Sequence, residues 1–171
     1  MTSTFKYTDA FNTQRLKKTI RVKPHETNDR DINSILTQKL MGTVGNKCSK
    51  EGYIKKNSIQ ILNRTIGMIN SRFLDGSINY VIEYSAEVCN PRPGDILKVE
   101  FVEKNKAGIL AQKIGTPLNI VLPKEIHNDK SLYRQVSAVN NTRDIVVQVL
   151  KSKPEQNSKI LFVVAKLIGI P

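Results

Sequence analysis

Two spacings of apolar residues divide the first part of the chain into a strand and a helix. Apolar and polar residues alternate from Thr19 to Lys23, which predicts a half-buried strand. Apolar residues then recur every three or four positions, which predicts a helix whose apolar stripe packs on a sheet. Asn28 or Asp29 is expected to cap this helix, and Gly45-Asn46 to end it. The stripe consists of Ile32, Ile35, Leu36, Leu40 and Val44.

Strand-like runs follow the helix, and together they predict a small antiparallel sheet. Between the last two runs, the pair Asp75-Gly76 predicts a tight hairpin with a type I′ turn, because both central residues of that turn need positive φ. In the last run, alternate residues from Ile78 to Ala86 share one face. The runs lie near Gly52–Ile54, Ser58–Leu62, Thr65–Arg72 and Ile78–Val88.

A short stiff segment separates this sheet from a second half that consists only of strands. Pro91 and Pro93 restrict φ and remove backbone donors, and Gly94 permits a sharp turn, so these three residues predict the joint between two domains. Five short strands with a long connection after the third favour an OB-fold barrel, and a small SH3-like barrel is the competing topology. They are expected at Asp95–Val102, Ile109–Lys113, Leu118–Leu122, Asp144–Lys151 and Lys159–Leu167, with a long loop or short helix from His127 to Thr142.

The fold class predicted from these patterns is α+β, in three parts. Residues 1–18 are polar with scattered aromatics and form an N-terminal extension, either a flexible arm or an ordered segment. Residues 19–90 form the strand, helix and antiparallel sheet. Residues 91–171 form the barrel.

The composition favours an anionic partner and offers no chemistry for catalysis. The 171 residues carry a formal net charge of +12, and both halves share the excess of basic residues. The two cysteines, Cys48 and Cys89, are too few for a disulfide framework or a metal set and indicate reduced thiols. His25 and His127 lack neighbours at metal-ligand spacing and are interpreted as surface or turn residues. We therefore expect no enzyme activity, cofactor or metal, and no membrane span.

The barrel half contains the candidate RNA-binding residues. OB barrels bind single strands with basic residues and aromatic side chains on one face and its loops. Phe101 and Phe162 lie in strands and are predicted to be core residues, so Tyr133 beside Arg134 is the best candidate for stacking on a base. We expect charge-driven RNA contact that tolerates different sequences. The candidate residues are Lys104, Lys106, Lys113, Lys124, Tyr133, Arg134, Lys151 and Lys153.

The ordered set of motifs resembles the stalk subunit of multisubunit DNA-directed RNA polymerases, the family of the seventh subunit of eukaryotic RNA polymerase II and its archaeal counterpart. The resemblance covers residues 19–171 and is densest from Gly52 to Gly94. It rests on the Pro24-His25 pair after the first strand, Gly52-Tyr53-Ile54, Ile59-Gln60-Ile61, Gly67-Met68-Ile69, Asp75-Gly76-Ser77, Tyr80 to Val88, Pro91 and Gly94.

The resemblance implies a non-catalytic polymerase subunit. Its N-terminal part would be a truncated RNP-like tip domain that docks on the polymerase core, and its OB domain would contact nascent RNA. The implied partners are the core subunits, a small helical stalk partner and RNA. Matched to the family, the docking region comprises Gly45, Cys48, Gly52, Tyr53 and Ile54, and the interdomain joint comprises Pro91, Pro93 and Gly94.

Two other functions remain open on the sequence. One is a free-standing OB-fold RNA-binding factor in translation or RNA processing. The other is a packaging or virion protein that binds nucleic acid by charge. The expected location is intracellular: the nucleus for a cellular eukaryotic protein, or a cytoplasmic factory or virion for a protein of a large DNA virus.

Overall fold

The fold is mixed α+β and consists mostly of strands. A computed structural model describes residues 6–27, 31–127, 131, 134 and 144–171. The first half contains β1 (Phe11–Val22), a 3-10 turn (Pro24–Glu26), α1 (Ile32–Val44), β2 (Lys47–Ser49), β3 (Gly52–Ile54), a second 3-10 turn (Lys56–Ser58), β4 (Gln60–Arg64), β5 (Met68–Ile69) and β6 (Ile78–Cys89).

The second half contains a closed five-stranded barrel. Its strands are β7 (Ile96–Lys104), β8 (Gly108–Gln112), β9 (Leu118–Pro123), β10 (Asp144–Lys153) and β11 (Leu161–Gly169), with a 3-10 turn at Lys124–Ile126. The order around the barrel is β7-β8-β9-β11-β10, and β10 closes it by pairing with β7. Neighbouring strands are antiparallel except β9 and β11, which are parallel. This five-stranded Greek-key arrangement is consistent with an OB-like barrel.

The chain divides into two compact units whose ranges interleave along the sequence. The barrel unit comprises residues 1–12, 48–53 and 89–171, and the helix unit comprises residues 13–47 and 54–88. The sequence predicts contiguous domains instead. The reason for the difference is local pairing: the Cys48 N–H donates to the Ser158 carbonyl oxygen at 2.7 Å, and the Asn157 N–H donates to the Cys48 carbonyl oxygen at 2.9 Å.

Two of the described N-terminal residues, Thr8 and Ala10, contact the barrel strands. In the barrel unit, the Thr8 N–H donates to the Ile96 carbonyl oxygen at 2.9 Å, and Ala10 is buried in the barrel core. β1 begins at Phe11, eight residues before the predicted strand. Half of its residues are exposed and several of these are charged, so hydrophobic alternation does not reveal its first part.

The helix unit packs α1 on its strands as the periodicity predicts. Ile35, Leu36, Leu40 and Val44 are buried, and they share a core with residues of β1 and β6. Alternate residues of β6 from Tyr80 to Val88 are also buried, so that the predicted faces of this strand are confirmed. The residue at the helix N-cap is Asp31, and the predicted cap residues Asn28 and Asp29 lie outside the described residues.

The Asp75-Gly76 pair does not form the predicted type I′ turn. Gly76 has a φ of 67°, but Asp75 is not among the residues with positive φ. β5 has only two residues, and it pairs with Asn79 and Ile78 of β6 across a longer loop. The Asp75 carboxylate accepts a hydrogen bond from the Ser77 N–H at 3.1 Å, so its side chain organises the turn. The hydrogen bond between the Asp75 carboxylate and the Ser77 side chain lowers the pKa of Asp75, and the bond from the Ser77 N–H lowers it further.

Candidate nucleic-acid interface

The residues matched to polymerase docking are largely buried. Cys48, Gly52 and Ile54 are buried, and Tyr53 is partly buried against the barrel core. Gly45 is buried too, and a Cβ there would overlap the Met41 carbonyl oxygen. Gly52 has a φ of 129°, which favours glycine. Backbone geometry and packing therefore explain these residues, and their side chains offer little surface to a partner.

The residues matched to the interdomain joint all lie within the barrel unit. Pro91 is buried, whereas Pro93 and Gly94 are exposed. The Gly94 N–H donates to the Val149 carbonyl oxygen at 2.8 Å, and the Val149 N–H donates to the Asp95 carbonyl oxygen at 2.9 Å. Gly94 has a φ of 98°, as the sharp turn requires. These bonds attach the segment to β10.

An exposed apolar surface lies on the helix unit, outside the residues that the sequence predicts for docking. Ile66 is 88% exposed and Ile69 is 77% exposed, and Leu74 is fully exposed. We call the set the apolar loop: Ile66, Met68, Ile69, Phe73 and Leu74. A group of exposed apolar side chains in one short segment is typical of a protein–protein contact.

Arg21 of β1 holds the apolar loop in place. Its guanidinium lies 4.1 Å from the centroid of the Phe73 ring, a cation–π contact. Its Nε donates to Ser77 Oγ at 2.9 Å, and its Nη2 forms an ion pair with Asp75. Arg21 therefore anchors Phe73 of the apolar loop and the residues Asp75 and Ser77 that follow it, which reduces the entropy that a partner would have to remove.

The predicted lysines form two groups at opposite ends of the barrel. Lys104, Lys106 and Lys124 are at the β7–β8 end, where the Lys124 N–H donates to the Ala107 carbonyl oxygen at 3.2 Å. The other group contains Lys113, Lys151 and Lys153. β10 runs antiparallel to β7, so the first residues of β10 lie beside the later part of β7. The last residues of β10, which include Lys151 and Lys153, pair with the start of β11 at the other end of the barrel. The register thus divides the six predicted lysines into two groups of three, one at each end of the barrel.

The remaining predicted RNA-binding residues fall in the connection after β9. Tyr133 lies outside the described residues. Arg134 is described and exposed.

Phe162 is an aromatic side chain on the outer surface of the barrel, which corrects its prediction as a core residue. It is 44% exposed, whereas its neighbours Leu161 and Val163 are buried. Phe101 is partly buried against the barrel core. The signal for Phe162 was available in the sequence: β11 alternates Leu161, Val163, Ala165 and Leu167 inward, so position 162 must face outward.

Register places Phe162 in a row of four outward-facing residues. Phe162 pairs with Lys153 on β10 and with Asn119 on β9, and Asn119 pairs with Gln112 on β8. We call these four residues the outer row. Since neighbouring strands lie about 4.8 Å apart, their Cα atoms span about 14 Å. A second row, Lys151, Val164, Val121 and Leu110, lies beside it.

The buried thiols are not activated. Burial raises the pKa of the Cys89 thiol to about 12, and burial also raises the pKa of Cys48. Both therefore stay protonated near neutral pH, and a thiol is a much weaker nucleophile than a thiolate. In the described part of the chain, no three His, Cys, Asp or Glu side chains are placed to hold a metal ion, and no helix is long and apolar enough to cross a membrane.

The fold and surface define a mixed α+β chain with a closed five-stranded barrel, consistent with an OB-like barrel, whose outer face carries an aromatic residue among lysines and amides. No protein-family model matches the chain, and no curated protein matches it.

Proposed function

We propose that this protein is a non-catalytic subunit of a DNA-directed RNA polymerase. It docks on the core enzyme through the helix unit, a truncated RNP-like tip, and contacts nascent RNA through the barrel. The observation that carries this proposal is the apolar loop on the helix unit. A chain of net charge +12 that exposes such a set of apolar side chains on an anchored loop is suited to a permanent protein partner.

The ordered motifs from Gly52 to Gly94 support the choice of partner. In this proposal the buried residues matched to the docking region shape the fold, and the apolar loop makes the contact. Arg72, which is exposed beside the loop, favours a partner surface with an acidic rim around an apolar centre.

Affinity purification tests this function. The full chain is tagged in its source cells, and the co-purifying proteins are identified. We expect core polymerase subunits, and a small helical partner if the stalk is a pair. The Ile69→Ser/Leu74→Ser variant should lose the core subunits, because both side chains are exposed in the apolar loop.

Ile114→Ser provides the matched control. Ile114 is also strongly exposed, at 70%, but it belongs to the barrel unit, so this variant should retain the core subunits. Purification of the wild-type chain without any polymerase subunit would contradict the proposal.

A free-standing RNA-binding factor is the second candidate, and the exposure of Phe162 favours it. An aromatic side chain that stacks on a base gives a barrel RNA affinity of its own. This candidate predicts co-purifying RNA without polymerase subunits, and a steep loss of affinity with salt in the isolated chain.

A further inference from the structure

We propose that the outer row of the barrel, Lys153, Phe162, Asn119 and Gln112, is a binding site for single-stranded RNA in which one base stacks on Phe162. The choice of RNA as ligand rests on the proposed function. The location of the site and the stacking contact rest on the barrel alone.

Phe162 supplies the stacking surface. The inward positions of β11 fill the barrel core with aliphatic side chains. Phe162 faces outward, and it is 44% exposed. Burial of such a ring by a base is favourable and tolerates any base, because every base has a π-face. The ring thus offers a single strand a contact that lysines cannot provide.

The other members of the outer row offer the remaining contacts. Lys153 lies beside Phe162 on β10, and its ion pair with Glu155 is long, at 3.8 Å, between two exposed side chains. Such a pair contributes little, so the ammonium can bind a phosphate. Asn119 and Gln112, on the opposite side of Phe162, carry donors and acceptors for base edges or a ribose 2′-hydroxyl.

The second row adds a cation at the same end of the barrel. Lys151 is exposed and pairs with Val164, two residues along β11 from Phe162. A strand of RNA that crosses β11 therefore meets Lys151 and Lys153 on one side of the ring and amides on the other. This sequence of cation, ring and amide fits an unpaired strand, because a base must leave the duplex stack to reach Phe162.

Fluorescence binding experiments with the full chain test the site. The probes are oligouridylate RNA of about 12 nucleotides, within the range that one barrel covers, the matching oligothymidylate DNA, and an RNA duplex. Phe162→Ala should weaken RNA binding about tenfold without a change in the salt slope. Phe162→Trp should retain binding, and since the chain has no other Trp, its fluorescence should be quenched by the stacked base.

Charge variants separate stacking from phosphate contacts. Lys151→Ala/Lys153→Ala should weaken binding and reduce the slope of log affinity against log salt by about 1.4, at about 0.7 per phosphate contact. Lys104→Ala/Lys106→Ala is the charge-matched control at the other end of the barrel, and it should change the slope less. Val102→Ala, which shortens another exposed apolar side chain of the barrel unit, is the control for Phe162→Ala.

Each outcome has a defined meaning. If Phe162→Ala binds RNA as tightly as the wild type and Phe162→Trp shows no quenching, the stacking site is wrong, whereas charge-driven RNA contact and polymerase docking stand. Tighter binding of the duplex or of DNA contradicts single-stranded RNA as the ligand. If Phe162→Ala instead removes polymerase subunits in the purification above and leaves RNA affinity unchanged, the outer row is a protein contact.

Discussion

At the scale of the residue, His127 shows how one side chain joins parts of the barrel that lie far apart in sequence. The Leu167 N–H of β11 donates to His127 Nε2 at 2.9 Å, so the ring proton is on Nδ1, which donates to the Pro123 carbonyl oxygen at 2.7 Å. The ring is buried, whereas the sequence predicts a surface or turn residue. It thus satisfies a strand donor and a carbonyl oxygen together.

Replacement of His127 should therefore destabilise the protein. His127→Ala leaves the Leu167 N–H and the Pro123 carbonyl oxygen without this partner and removes buried volume, which predicts a loss of about 2–3 kcal/mol in the free energy of unfolding. Chemical denaturation measures this loss. His25→Ala is the control, because His25 is exposed, and it should change stability by less than about 0.5 kcal/mol. Equal effects of the two substitutions would contradict the bridging role.

At the scale of the element, a polar network joins the end of β1, the 3-10 turn and α1. The Lys39 Nζ donates to Glu26 Oε2 at 2.6 Å and to the Arg21 carbonyl oxygen at 2.8 Å. The Lys23 N–H also donates to Glu26 Oε2, at 2.7 Å. The hydrogen bond from Lys39 and then that from the Lys23 backbone lower the pKa of Glu26. The network holds α1 against the strand that precedes it.

This network predicts a pH dependence of stability. Because the pKa of Glu26 is lower in the folded state, its contribution is fully present above its ordinary pKa near 4.5, and it is lost as the pH falls through the lowered value. Unfolding experiments from neutral to acidic pH should show a smaller acid loss for Glu26→Gln than for the wild type. Glu103→Gln removes one exposed carboxylate of β7 as the charge-matched control. Parallel curves for wild type and Glu26→Gln would refute the link.

At the scale of the whole molecule, net charge and exposed apolar surface act in opposite directions. We expect the charge of +12 to keep copies apart at low salt, and the apolar loop to favour association once salt screens that repulsion. Binding of RNA to lysines responds in the opposite way, since it weakens as salt rises. Salt therefore distinguishes the two surfaces.

Self-association of the isolated chain should increase with salt and depend on the apolar loop. Sedimentation analysis should show monomer at low salt and larger species at about 1 M salt, where screening extends over only about 3 Å. Ile69→Ser/Leu74→Ser should keep the chain monomeric, while Ile114→Ser should behave as the wild type. If the loop variant associates as strongly as the wild type, another surface causes the association.

Much of the fold could be predicted because it depends on local periodicity. The helix stripe from Ile32 to Val44 follows from apolar residues that recur every three or four positions. The alternation of β6 and the five barrel strands follow from apolar residues that recur every two positions. Such patterns arise because one face of an element is buried, and the resulting apolar repeat is visible in a single sequence. The start of β1 at Phe11 was missed because its exposed charged residues interrupt that pattern.

The sequence by itself determined the helix, the core of most strands, the positive charge and the lysines of the barrel, because each depends on residue type and spacing. Only the tertiary structure decided which residues meet. It attached Cys48 to Ser158, buried most of the residues that the sequence predicts for docking, exposed the apolar loop, and aligned Phe162 with Lys153 and Asn119. These relations depend on strand register and on contacts between distant segments, which the order of residues along one chain does not contain.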